Sequence, residues 1–176
     1  MGEGKTIRSK TDVRKLYKEF RTAHAPRVEI AFLLQDWEDA YNVGGMFRVA
    51  DACGASEMFV TGRTPVPPDP QISVTSLGHH RRISLHRFEK HEEAAICAKN
   101  NGYALVAVEI ATGAANFMEF SWPSKVCLVL GNEASGIYGT VMKHCDAAVY
   151  IPMLGKGRSL NVHVAAAVVA FQAVLG

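Results

Sequence analysis

Apolar residues in this chain fall mainly into short unbroken runs, separated by segments in which they recur every three or four positions. The runs VEIAFLL (28–34), EMFVTG (57–62), ISLHRF (83–88), YALVAVEI (103–110), KVCLVLG (125–131) and AAVYIP (147–152) predict about six strands, most of them buried on both faces. Between them, VGGMFRVADAC (43–53), EEAAICAKNNG (92–102), SGIYGTVMKHC (135–145) and residues 161–175 predict helices. Gly54 and Gly102 suit helix ends. TPVPPDPQ (64–71) predicts a proline-rich loop. Near the N-terminus, Val13, Leu16, Tyr17 and Phe20 share one face of a helix that Thr11 or Asp12 can cap and that Pro26 ends. Strands alternating with helices, and apolar on both faces, predict an α/β fold: a mainly parallel sheet with helices on both faces. Ligands in such sheets collect at the carboxyl ends of the strands.

Composition changes this picture little. The 176 residues are 48% hydrophobic and 20% charged, ordinary for one globular domain, with no internal repeat. A net charge of +2 implies no particular partner, but its distribution does. Residues 1–27 carry Lys5, Arg8, Lys10, Arg14, Lys15, Lys18, Arg21 and Arg27 against Glu3, Asp12 and Glu19. They read as a basic N-terminal segment or helix ahead of a main domain over 28–176. A second cluster is His79-His80-Arg81-Arg82, followed by His86-Arg87. Such asymmetry suits a polyanion, or equally a solvated helix face. Four cysteines at 53, 97, 127 and 145 have no metal-pair spacing and read as reduced, mostly buried thiols of a cytoplasmic protein. The charged start gives no signal-peptide pattern, and Val162–Leu175 is too short and too polar at His163 and Gln172 to span a bilayer.

Several motifs fail on inspection. GEGKT (2–6) lacks the first glycine of a P-loop and a preceding strand, and HEEAA (91–95) has Ala95 where a zinc-protease helix needs a second histidine. No dinucleotide glycine fingerprint follows a strand, no nucleophile elbow is present, and nothing suggests a metal.

Three segments remain, each at a strand-to-loop junction: NVGGMFRVADACG (42–54), LVLGNEASG (128–136) and IPMLGKGRSLNVHVAAAVVAF (151–171). In the first, Gly44 and Gly45 would let backbone approach a ligand at a helix start. In order and approximate spacing, Asn-x-Gly-x-x-x-Arg, Leu-Gly-Asn-Glu and Ile-Pro-Met…Ser-Leu-Asn-Val resemble the SpoU (TrmH-type) branch of the SPOUT methyltransferases, from about Val28 to the C-terminus. The resemblance implies transfer of a methyl group from S-adenosyl-L-methionine to a ribose 2′-hydroxyl of tRNA or rRNA. It also implies a C-terminal trefoil knot, which general topology rules alone would argue against, and a homodimer with its two sites near the interface. The helix after residue 161 is then expected to be buried all round, in core and subunit interface.

By the same resemblance, Arg48, Asn42, Glu133, Ser159 and Asn161 are the catalytic candidates, and Val108, Gly131, Ile151, Met153 and Leu160 hold the cofactor, Leu160 against the adenine. Arginine is an implausible base, so Arg48 is expected to clamp the phosphate beside the target ribose. Asn42 also sits where a helix N-cap belongs, and Ser159 or Asn161 can cap the last helix. Glu133, with Asn132, is expected to order the surrounding loops. His163 stands where the family often has a small residue and reads as a partly buried helix histidine rather than a catalytic one. Lys156 and Arg158 read as phosphate contacts, and Asp36, Glu38 and Asp39 as a solvated turn. Two other classes compete: an RNA-binding or assembly factor that keeps the fold without turnover, and an unrelated small-molecule enzyme, against which the missing glycine fingerprint counts.

Overall fold

The computed structural model describes residues 6–176. Seven parallel strands form one sheet: β1 (Glu29–Gln35), β2 (Glu57–Thr61), β3 (Ser84–Phe88), β4 (Ala104–Val108), β5 (Ala115–Asn116), β6 (Lys125–Leu130) and β7 (Ala147–Tyr150). Their order is β3-β2-β1-β6-β4-β7-β5, with every pairing parallel. The expected six strands are all present, and the two-residue β5 is an addition. It is too short to leave a hydrophobic pattern.

The helices are α1 (Lys10–Ala23), α2 (Ala40–Cys53), α3 (Pro70–Ser76), α4 (His91–Asn100), α5 (Gly139–Met142) and α6 (Val162–Leu175), with a 3₁₀ turn at His79–Arg81. They cover both faces. Along β1, Ile30, Phe32 and Leu34 enter the core shared with α2, α3 and α6, while Ala31 and Leu33 enter the one under α4 and α5. Alternate residues of a strand point to opposite faces, so a strand buried on both sides must be apolar throughout.

Several local expectations are corrected. Ser9, not Thr11 or Asp12, caps α1 by accepting from the Asp12 N–H at 3.4 Å. The proline-rich loop contains α3, capped by Asp69 with Pro70 in its first turn, where a proline loses no helical hydrogen bond. The helix expected over 135–145 shrinks to α5, because residues 131–138 are drawn into a loop against β1. Among the described residues, no helix is long and apolar enough to cross a membrane, and the four cysteines are free. Burial pushes the Cys53 thiol up to about 12 and the Cys145 thiol to about 11, which leaves them protonated and unreactive.

Within the single chain, helix α6 is buried on one side, the core part of the expected burial. Ala166, Val169, Ala170, Ala173 and Val174 face the core, whereas Val164, Val168, Phe171 and Leu175 are 38–45% exposed and form a continuous stripe at i, i+4, i+7 and i+11. Helix α1 buries no residue, and its Leu16, Tyr17 and Phe20 are exposed too.

Candidate active site

A cavity of about 540 Å³ opens at the carboxyl ends of β4, β6 and β7. Its wall is built from Val108, Glu109 and Ile110 after β4, Leu130 to Ala134 and Gly136 after β6, Tyr150, Ile151 and Met153 after β7, and Arg158 to Val162 leading into α6. The five expected cofactor positions, Val108, Gly131, Ile151, Met153 and Leu160, all lie in this wall, as do Glu133, Ser159 and Asn161. Asn42 and Arg48 do not.

The loop after β6 is held by side chains from the end of β1. Gln35 is fully buried; its Nε2 donates to the Gly136 carbonyl at 3.1 Å and its Oε1 accepts from the Tyr138 N–H at 2.8 Å. Asn132 donates through Nδ2 to the Asp36 carbonyl at 2.7 Å, and its Oδ1 accepts from the N–H groups of Ala134 and Ser135. Asn132 and Gly136 exchange both backbone hydrogen bonds, at 3.1 and 2.9 Å. At Gly131, an added Cβ would run into the backbone of Gly136 and Ile137, so only glycine fits. Glu109 joins the clamp: its Oε2 accepts from Ile137 N–H at 3.2 Å and its Oε1 from Ile110 N–H at 3.0 Å.

Asp36 is not in a solvated turn. It is 6% exposed and adopts φ 55°, in the left-handed region. Its carboxylate accepts from Arg63 Nη2 at 3.0 Å, the Arg63 N–H at 2.9 Å and the Tyr138 hydroxyl at 2.7 Å. The Arg63 guanidinium, aided by the backbone and tyrosine hydrogen bonds, holds this carboxyl well below the usual carboxylate range despite burial. Glu38 also reaches Arg63, at 2.8 Å.

Asn42 is not the N-cap of α2. Asp39 is, accepting from the Tyr41 N–H at 2.8 Å, which leaves Asn42 inside the first turn and buried. Its Nδ2 donates to Glu133 Oε1 at 3.0 Å, and its Oδ1 accepts from Asn161 Nδ2 at 3.1 Å and lies 3.1 Å from His163 Nδ1. Asn161 caps α6, its Oδ1 accepting from the His163 N–H. Gly44 and Gly45 do not border the cavity. An added Cβ at Gly44 would strike Thr75 of α3, and one at Gly45 would sit 3.0 Å from the His163 ring. These glycines admit neighbouring helices rather than a ligand. Arg48 lies on the exposed side of α2, two turns from Tyr41 and one from Gly45, with no hydrogen bond or ion pair among the described residues.

Of the second basic cluster, His79 and Arg82 are engaged by Asp51 at 2.7 and 3.1 Å, and His86 lies 3.0 Å from Glu57. Of its arginines, Arg87 also lies 4.0 Å from Glu89, while Arg81 makes no ion pair among the described residues. On α1 only Lys15 is paired among the described residues, with Glu19 at 3.9 Å. The first five residues of the basic segment, with Glu3 and Lys5, lie outside the described residues. No group of three or more His, Cys, Asp or Glu placed to hold a metal occurs among the described residues. Sequence reasoning missed Gln35, Asp36 and Glu109. Glu109 could have been found, because it follows an apolar strand at the sheet edge where ligands gather.

A parallel sheet with one cavity fed by three strand ends and closed by the entry to the last helix defines an α/β protein built to hold a small molecule there. The sequence profile of the SpoU rRNA Methylase family matches residues 29–171, and the chain belongs to that family. It is similar to the tRNA (guanosine(18)-2′-O)-methyltransferase of Thermus thermophilus, 29% identical over 167 residues, or 95% of this chain and 84% of that protein. Among solved structures it resembles the AdoMet-bound rRNA methyltransferase of Sinorhizobium meliloti (TM-score 0.76, 27% identity), over 87% of this chain and 58% of that one. It also resembles the SpoU methyltransferase AviRb of Streptomyces viridochromogenes in complex with AdoMet (TM-score 0.76, 26% identity), over 84% of this chain and 60% of that one. The chain thus spans about three-fifths of the length of both structures.

Proposed function

We propose that this chain is an S-adenosyl-L-methionine-dependent RNA methyltransferase that modifies a ribose 2′-hydroxyl of tRNA or rRNA. The observation that carries this is the convergence of two distant family segments, 128–136 and 151–171, on one cavity at the carboxyl edge of the sheet, with the third segment joined to them through the hydrogen bonds of Asn42 to Glu133 and Asn161. The residues present fit the cofactor. A volume of about 540 Å³ lies in the range of small-molecule sites, about 300–1,000 Å³. Val108, Ile151 and Leu160 offer apolar faces to a purine, and Glu109 supplies a carboxylate suited to hydroxyl or ammonium groups. When bound, the cofactor supplies an electrophilic methyl group on sulfur.

The chain's own contribution is binding and orientation. Glu133, Asn42 and Asn161 form one polar chain joining the β6 loop, α2 and the start of α6, so the cavity and the catalytic candidates move together. Arg48 acts by gripping the phosphate beside the target ribose, since a guanidinium stays protonated. Its position outside the cavity wall fits a site completed in a homodimer. The apolar stripe Val164, Val168, Phe171 and Leu175 supports such a dimer, because an uncovered helix stripe of this kind marks an interaction face. The knot is supported by topology. β6 lies between β1 and β4, both of which precede it in the chain, and the loops after β6 and β7 line the same cavity. The basic α1 segment leads RNA binding, with the main domain carrying catalysis, in the cytoplasm. No observation favours the assembly-factor reading.

The test is incubation with labelled S-adenosyl-L-methionine and total RNA, followed by mapping of 2′-O-methylated positions. The expected result is one or a few defined sites. Cofactor binding without transfer to any RNA would instead establish the assembly-factor reading.

A further inference from the structure

The start of α6 does more than cap a helix. Asn161 cannot flip its amide, because its Oδ1 accepts from the His163 backbone N–H at 3.2 Å. Its Nδ2 therefore faces Asn42 Oδ1, at 3.1 Å. The His163 ring reaches the same oxygen from the same turn, Nδ1 to Oδ1 being 3.1 Å. An amide oxygen can only accept, so His163 carries its proton on Nδ1 and donates. With its oxygen occupied twice, Asn42 turns its NH₂ to Glu133 Oε1 at 3.0 Å. The ring also lies flat over Gly45, where an added Cβ would meet Cδ2 at 3.0 Å and Nε2 at 3.1 Å. It spaces α6 from the turn of α2 that leads to Arg48.

We infer that His163 is a positioning residue of the methyl-transfer site: through its Nδ1–H and its seat on Gly45 it fixes the Asn42 amide between Asn161 and Glu133 and sets the distance from α6 to the Arg48 turn of α2. This rests on the methyltransferase reading. The groups facing the ring are the Asn42 amide and the Gly45 backbone of α2, with the Asp39 carboxylate at the head of that helix and Asn161 on its own side. Nδ1–H donation persists whether or not the ring is protonated, so the role is independent of pH.

The experiment compares wild type, His163→Ala, His163→Gln and Gly45→Ala for methylation of RNA with labelled S-adenosyl-L-methionine, together with ¹⁵N–¹H spectra of the histidine ring. The expected result for His163→Ala is a kcat lower by about tenfold, as for one lost hydrogen bond that matters in the transition state, with the cofactor Kd within twofold of wild type. His163→Gln, which can still donate, recovers most of the rate, and Gly45→Ala imitates the loss by displacing the ring. The His163 spectrum shows the Nδ1–H tautomer, and Asn42→Ala abolishes that preference. Unchanged kcat in His163→Ala overturns the inference while leaving the methyltransferase reading intact. So does an Nε2–H tautomer, which can be read even if no RNA is methylated. An acid limb of the pH–rate profile that vanishes in His163→Ala would also overturn it, by making the ring the proton acceptor.

Discussion

The loop that borders the cavity hangs on one buried side chain, and Gln35→Ala measures how much. The substitution removes two hydrogen bonds of unequal consequence. The Gly136 carbonyl retains a second donor, the Asn132 N–H at 3.1 Å, so its loss is that of one ordinary bond, about 1 kcal/mol. Among the described residues the Tyr138 N–H has no other partner, and it is left orphaned in a part-buried place, at about 1–3 kcal/mol. Together these come to about 2–4 kcal/mol. The protein can take that loss in either of two ways. If residues 131–138 stay docked, the urea unfolding free energy falls by that amount. If they detach, global stability is spared and the cofactor meets a disordered wall, so its Kd rises by about 30- to 700-fold at about 1.4 kcal/mol per decade. Urea unfolding and calorimetric titration with S-adenosyl-L-methionine, on the same preparation, read both shares. Losses in stability and in binding free energy that sum to less than about 0.5 kcal/mol would refute the claim that Gln35 holds the loop.

Arg48→Ala should lower methylation by at least about a hundredfold while the cofactor Kd stays within twofold; retained turnover would remove Arg48 from the site. Asp36 makes an acid-range prediction. Its folded pKa lies below the unfolded value, so its contribution to stability is present above about pH 4 and is lost as the pH falls through the folded value. Arg63→Ala should therefore reduce stability at neutral pH and flatten its decline below pH 4, as followed by urea midpoints from pH 2 to 7. On the α6 stripe, Phe171→Glu should yield a monomer in sedimentation, without loss of helix content, and an unchanged association state would exclude this face as the contact.

The sheet was readable because strands buried on both sides have to be apolar throughout: VEIAFLL and KVCLVL can hardly be anything else. Helix α3 was hidden by its prolines, although Asp69-Pro70 is itself a helix-start signal. Asp36 was misread because its burial is supplied by Arg63 and by Tyr138, which lies 102 positions away. No local window contains that partner. The same holds for Gln35, which looks like a strand-ending polar residue until the β6 loop is laid on it. The double glycine suggested a ligand contact, and only the positions of Thr75 and His163 reveal that it accommodates helices. Motif matching brought together the cavity wall but not the clamp behind it, since the clamp is made of tertiary contacts.

The insertion of β6 between β1 and β4 also bears on biosynthesis. Until residues 125–130 leave the ribosome, the nascent polypeptide carries β1 and β4 with no neighbour on their facing edges, since both pair there only with β6. Two open, apolar strand edges invite association with other chains. The centre of the sheet can close only once residues 125–130 have emerged, so a nascent chain that has already made β1 and β4 carries both edges open until then, and the yield of active protein should track chaperone supply more closely than the mature molecule's resistance to urea.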